Sequence, residues 1–194
     1  MIKMKIDGPL KNAVFIERPN RFITIIEIGG KKHKSHLPDP GRLKELLIPG
    51  ASLLVRPAPE NKKRSTAFTT IMVSLKGQWI PLVSTLPNQF VKYSFQKNRI
   101  PIFQKYKLIR PEVAIRNHRF DFLLSNKSGK KFFLEVKSVT FVEDGIAKFP
   151  DAVTTRGMNH AKTLTDLVKE GEFAGILFVC QRPDATLFEP MWDR

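Results

Sequence analysis

The sequence predicts an α+β protein of two domains, a small N-terminal β-barrel over residues 1–83 and a C-terminal α/β domain with a mixed sheet over residues 84–194. Three observations predict it. Short β-rich runs divided by turn residues fill the first stretch, as in a small all-β module. Past Ser84 the pattern changes to helix, strands, helix, strand, which is how an α/β layer reads. The 194 residues are 42% hydrophobic, enough to bury a core in one large domain or two small ones.

In the first part, Ala13–Arg18 and Arg21–Ile28 are β-rich and flank Pro19-Asn20, after which Gly29-Gly30 turns into Lys31-Lys32-His33-Lys34. Ser52–Arg56, Ala67–Leu75 and Trp79-Ile80 continue the pattern, with Lys76-Gly77 as a turn. The Leu spacing in Arg42–Leu47 predicts one short helix, closed by Pro49-Gly50. About five strands with one short helix suit an OB-like barrel. In the second part, Ser84 or Thr85 can cap a helix from Pro87 to about Asn98. A looser stretch follows through Pro101 and Pro111. Strands are expected at His118–Leu124 and from Lys131 through Lys137 to Val142, around a turn at Asn126–Gly129. Glu143-Asp144-Gly145 reads as a hairpin turn with Ile146–Phe149 returning. A helix from Thr154 to Glu170 stops at Gly171, a residue suited to a left-handed cap. Ala174–Cys180 reads as a final buried strand.

Charge narrows the function. Lys and Arg number 33 against 18 Asp and Glu, a net charge of +15. Such an excess opposes a compact fold through self-repulsion and points to a polyanionic partner. Nucleic acid is the usual one, because Lys and Arg contacts to phosphate release condensed counterions. A Lys-biased surface of the heat-adapted kind normally has its Lys balanced by Glu, and here the acids fall well short of that balance. Basic clusters recur at Lys31-Lys32-Lys34, Lys62-Lys63-Arg64, Lys105-Lys107-Arg110 and Lys130-Lys131. No recognition helix or zinc finger is present in the pattern, so DNA binding driven by phosphate and tolerant of sequence is expected. Cys180 is the single cysteine, which excludes an intrachain disulfide and a thiolate metal cage. It lies in an apolar run and reads as a small buried hydrophobe. Residues Met1–Asp7 lack the apolar stretch of a signal peptide. No segment approaches the roughly 20 apolar residues of a membrane helix, so a cytoplasmic protein without a membrane partner is expected. The oligomeric state is left open.

Chemistry-bearing residues concentrate in the second part. Side chains alternate across a strand, so Glu135 and Lys137 share a face. Alternation also puts Arg119, Asp121 and Leu123 on one face, with Phe120, Phe122 and Leu124 on the other. If the two strands pair, Asp121, Glu135 and Lys137 meet. Two converging carboxylates repel each other and invite a hard divalent cation, Mg²⁺ or Mn²⁺, with Asp121 and Glu135 as its ligands. The lysine can orient an attacking water or stabilise charge developing on phosphorus. An ion pair on an exposed strand face explains Glu-X-Lys alone adequately. Asp on one strand, Glu-X-Lys on the next, and the surrounding order of helices and strands together resemble the PD-(D/E)xK nuclease superfamily. That superfamily often supplies a further acid from upstream, and Glu112 is the candidate. Arg156 and His160, four residues apart, share a helix face near the helix N-terminus, where phosphate is favoured. A solvated Arg and a packing His account for that pair without any site.

Longer motifs carry a more specific likeness. Phe133-Leu-Glu-Val-Lys-Ser-Val139, the run from Phe149 to His160, His36-Leu-Pro-Asp-Pro-Gly-Arg42 through Gly50, Arg119–Leu123 and Asn61-Lys-Lys-Arg64 resemble the sugar fermentation stimulation protein family over nearly the whole chain. The resemblance implies an OB-like and a nuclease-like domain, and binding to DNA without sequence specificity. It implies Asp121, Glu135, Lys137 and Glu112 as the catalytic site. The expected DNA contacts are Arg156, His160, Arg42, Lys62, Lys63, Arg64 and Arg119. The alternative it leaves open is a non-catalytic DNA-binding regulator linked to sugar (maltose) metabolism. A third reading treats the acids and lysine as a structural charge cluster. Three departures stand out. Asp39-Pro40 replaces an Asn-Thr pair, Thr155 stands where an acid is common, and Trp192-Asp193-Arg194 ends the chain about where a last helix and strand are expected. One sheet edge is then expected to be uncovered.

Overall fold

The computed structural model describes residues 4–59, 64–152 and 154–192. Six strands come first: β1 (Lys11–Asn20), β2 (Ile23–Ile28), β3 (Lys31–His36), β4 (Ser52–Pro57), β5 (Phe68–Leu75) and β6 (Gln78–Pro81). Their order is β3-β2-β1-β4-β5-β6, and a further β3–β5 pairing closes the first five into a barrel. Gly29 and Gly30, at φ 56° and 76°, make the tight β2–β3 turn that a β-carbon would strain. Alternate residues point inward, so Ala13, Phe15, Ile26, Leu53, Val55 and Val73 form one core. Buried hydroxyls occupy the closure: Thr70 Oγ1 lies 2.9 Å from both Thr24 Oγ1 and Ser35 Oγ. Each thus has a partner, as burial of a hydroxyl requires.

The expected helix at Arg42–Leu47 is a single turn instead. Leu46 N and Leu47 N both donate to Leu43 O, and Leu43 has φ 50°. A left-handed leucine cannot continue a right-handed helix. The Leu spacing is real but serves the barrel core, where Leu43, Leu46 and Leu47 are 2%, 2% and 8% exposed.

The second part contains α1 (Leu86–Gln96), β7 (Tyr106–Ile115), β8 (His118–Asn126), β9 (Lys131–Val139), β10 (Val142–Glu143), β11 (Ile146–Phe149), α2 (Thr155–Lys169), β12 (Phe173–Cys180) and β13 (Leu187–Pro190). A four-stranded sheet runs β12-β9-β8-β7. It is mixed, since β7, β8 and β9 are antiparallel neighbours and β12 is parallel to β9. Helix α1 covers one face through Val91 and Phe95 against Phe122, Leu124, Leu134 and Val136. Helix α2 covers the other through Leu164 and Leu167 against Val113, Leu123 and Phe133. A smaller sheet, β10-β11-β13, stands beside it.

Three expectations need correcting. The stretch expected to be loose contains the ten-residue strand β7, whose Pro111 is tolerated because β7 is an edge strand. The strand expected to run on to Val142 stops at Val139, and Val142-Glu143 joins the smaller sheet. The strand expected to be buried, β12, is the opposite edge: Phe173, Ile176 and Phe178 are 41%, 36% and 37% exposed, and Cys180 is exposed. Among the described residues no helix is long and apolar enough to cross a membrane.

Candidate active site

Where the sheet opens, the acids gather. The β8–β9 ladder runs from Ser125↔Lys131 to Phe122↔Leu134 and ends there. Asp121 is the next residue along β8. Its Oδ2 accepts the Val136 N–H at 2.7 Å, and its Oδ1 accepts the Asn88 side-chain amide at 2.5 Å. Asn88 comes from the first turn of α1. The simple alternation expected for β8 breaks at this point. Phe120 packs on the α2 face with Leu123, whereas Phe122 and Leu124 pack on the α1 face. Facing therefore flips across Asp121, and across the ladder Glu112 sits at φ 51°. The consequence is that Asp121 lies between the faces, in the fork, with α1 holding one oxygen and the β9 backbone the other.

Glu135 sits beside it on β9, 4% exposed. Its Oε1 receives Lys137 Nζ at 2.6 Å and lies 2.7 Å from His160 Nδ1. Its Oε2 is buried without a hydrogen-bond partner. A buried carboxylate oxygen left unpaired costs free energy unless another group completes it. Burial pushes the Asp121 carboxyl above the usual carboxylate range, and the Glu135 charge adds to that rise. The Val136 N–H, the Asn88 amide and the Lys137 charge oppose it. Asp121, Glu135 and Lys137 thus share one electrostatic site.

A cleft of about 720 Å³ opens next to this fork, lined by Glu112, His118, Arg119, Asp121, Arg156 and His160 among others. Arg156 is exposed there. Glu112 and Arg119 form an exposed ion pair at 3.2 Å on its rim. His160, expected as a DNA contact, is only 4% exposed, and its ring packs near His118 and Phe120. Its buried position makes it a brace for Glu135. Arg42 and Arg64 are exposed on the first domain and do not line the cleft. Lys62 and Lys63 lie outside the described residues. Asn88 and His118 were not singled out by the sequence. Asn88 is 33 positions from Asp121, and no local spacing ties a helix residue to a strand carboxylate that far away.

The donor set fits a hard divalent cation. Two carboxylates stand together, one with an unpartnered oxygen, and Mg²⁺ is commonly held by one or two carboxylates with water and substrate phosphate completing the shell. Among the described residues no group of three or more His, Cys, Asp and Glu forms a full protein cage.

Residues 16–82 match the family model described as the SfsA N-terminal OB domain, and residues 85–194 match that of the sugar fermentation stimulation protein RE domain. The chain belongs to the sugar fermentation stimulation protein family. A sugar fermentation stimulation protein homolog of Acetivibrio thermocellus is 40% identical over 188 residues, covering 96% of this chain and 80% of the relative. One of Clostridium beijerinckii is 42% identical over 187 residues, with 96% and 80% covered. Among solved structures, the Pyrococcus furiosus family member SfsA, in complex with Ca²⁺, superimposes with a TM-score of 0.87 at 26% identity. That match covers all of this chain and 82% of the other. The family likeness and the OB-plus-nuclease-like architecture expected from the sequence therefore stand.

Proposed function

We propose that this chain binds DNA largely without regard to sequence and hydrolyses phosphodiester bonds, with Mg²⁺ or Mn²⁺ held by Asp121 and Glu135. The observation that carries the reading is the buried, unpartnered Oε2 of Glu135 next to Asp121 in the sheet fork. The Ca²⁺ held by the Pyrococcus furiosus relative supports it, because Ca²⁺ and Mg²⁺ both take oxygen ligands. The net charge of +15 supports a polyanionic substrate.

When bound, the cation supplies Lewis acidity and makes a water nucleophilic near neutral pH. The rest falls to the chain. Asn88 and the Val136 N–H fix the Asp121 carboxylate, and His160 fixes Glu135, so little reorganisation is needed as charge develops. Lys137, 2.6 Å from Glu135 Oε1, stands where it can orient a water or offset charge on the phosphoryl oxygens. Arg156, exposed at the cleft, would take a phosphate oxygen. Glu112 stays on the rim, tied to Arg119, and would act on water or on a second ion there.

A second reading is a non-catalytic DNA-binding regulator. It is favoured by the fact that three of the four oxygens of Asp121 and Glu135 already have partners within the protein. Pure protein incubated with plasmid and with single-stranded DNA, with and without Mn²⁺, separates the two. Mn²⁺-dependent cleavage that disappears in Glu135→Gln supports the nuclease. DNA binding without cleavage, indifferent to both metal and variant, leaves the regulator.

A further inference from the structure

We propose that a second groove on the C-terminal domain takes the phosphodiester backbone of DNA that has entered the cleft at Asp121. This rests on the DNA-binding reading and says where the bound strand continues. The β7–β8 hairpin is polarised. One end carries Glu112, Asp121 and the cleft, and the other carries a groove of about 710 Å³ lined by Lys105, Lys107, Lys127, Asn126 and Ser128, with Ile109. Residues 95–111 and 122–134 together hold eight Lys and Arg and no Asp or Glu. Among the described residues none of the three groove lysines forms an ion pair. Asn126 Oδ1 is taken by Ser128 N, Ser128 Oγ and Lys130 N at 3.0, 2.8 and 3.0 Å, which leaves its amide nitrogen as the free group. Three lysines and an amide donor thus line a groove whose surface is otherwise largely apolar. Ile109, 57% exposed, adds an apolar patch suited to a deoxyribose.

Edge protection is the competing account, since lysines on an edge strand discourage strand pairing. It covers Lys105 and Lys107 beside β7. It does not cover Lys127, which arrives from the β8–β9 turn to face the same groove. Val113 at the cleft end lies six positions along β7 from Lys107, about 20 Å at roughly 3.3 Å per strand residue. That is about six base pairs of duplex at roughly 3.4 Å each. DNA centred on the cleft reaches the groove only when it extends at least that far.

The test measures dissociation constants by fluorescence anisotropy in metal-free buffer between about 50 and 200 mM salt, the range over which phosphate contacts dominate. Duplexes of about 8 and about 20 base pairs are compared for the wild type and for Lys105→Gln/Lys107→Gln/Lys127→Gln. Each lost phosphate contact should lower the slope of log K against log salt by about 1. The triple variant should therefore lose about 3 on the long duplex and keep the wild-type slope on the short one. Lys11→Gln/Lys162→Gln/Lys169→Gln removes the same charge elsewhere and should leave the long-duplex slope nearer the wild type. A triple variant that keeps the wild-type slope on the long duplex overturns the groove while DNA binding stands, and so does one that matches the charge control on both lengths. A wild type that binds neither duplex removes the DNA-binding reading and the groove with it.

Discussion

Glu135 is the residue on which the site turns. It is buried, it anchors Lys137 and His160 through one oxygen, and it leaves the other open. Glu135→Gln keeps the shape and removes the charge, so titration calorimetry with Ca²⁺ or Mn²⁺ should lose its binding heat while the circular dichroism spectrum is retained. Lys137→Met should instead destabilise the fold, because it leaves a buried carboxylate with only His160. The cost should be about 2 kcal/mol by urea titration, below the roughly 3–5 kcal/mol of a fully buried broken pair, since the Lys137 side chain is 20% exposed. At this scale Glu135 and Lys137 were legible from the sequence, because two residues apart on a strand means one face. Asp121 was legible as an acid but not in its placement. Its flip into the fork goes with the Asn88 bond and with the left-handed backbone of Glu112 across the ladder, and neither leaves a mark in residue spacing.

Elements behaved unevenly. Helix α2 was readable at both ends. Thr154 caps it by accepting the Gly157 N–H at 3.0 Å, and Gly171 closes it at φ 89°. Thr154→Ala should cost about 1 kcal/mol and lower the melting temperature by about 2–4 °C for a chain of this size. Differential scanning calorimetry would show it, and an unchanged melting point would mean the cap contributes nothing. The turn at Leu43–Leu47 shows the opposite case. Its leucine spacing satisfies a helix and a barrel plug equally well, and only the barrel core chooses between them. Strand β7 was hidden because prolines mark loops and edge strands alike. Strand β12 read as buried from its apolar run, yet a parallel edge strand can be just as apolar.

At the scale of the whole molecule, the loop after β3 docks against the segments that follow β11 and β12. Arg42 N donates to Asp151 Oδ2 at 3.2 Å, and Arg182 approaches Glu45 at 4.0 Å. Burial pushes the Asp39 carboxyl above its ordinary range; the Gly41 N–H and Arg18 oppose the rise, and the Asp151 charge adds to it. Burial raises Glu45 too. A carboxyl whose folded value is raised favours the fold while protonated, and that contribution is lost as pH rises through the folded value. Asp39→Asn, whose amide oxygen can still accept the Gly41 N–H, should therefore melt higher than the wild type at pH 7. The gap should close as pH falls through the carboxylate range, and thermal melts across that range decide it. A gap that widened toward acid would reverse the sign of the assignment.

The two helices α1 and α2, the barrel strands, the excess of positive charge and the Glu-X-Lys pair were determined by the sequence alone, because each follows from local periodicity or from counting. The closing of the barrel through β3 and β5, the fork that seats Asp121 against α1, and the placing of β7 and β12 at the two sheet edges were decided only by tertiary structure. They depend on contacts between residues far apart in the chain, where neither a period of 2 nor one of 3.6 carries information.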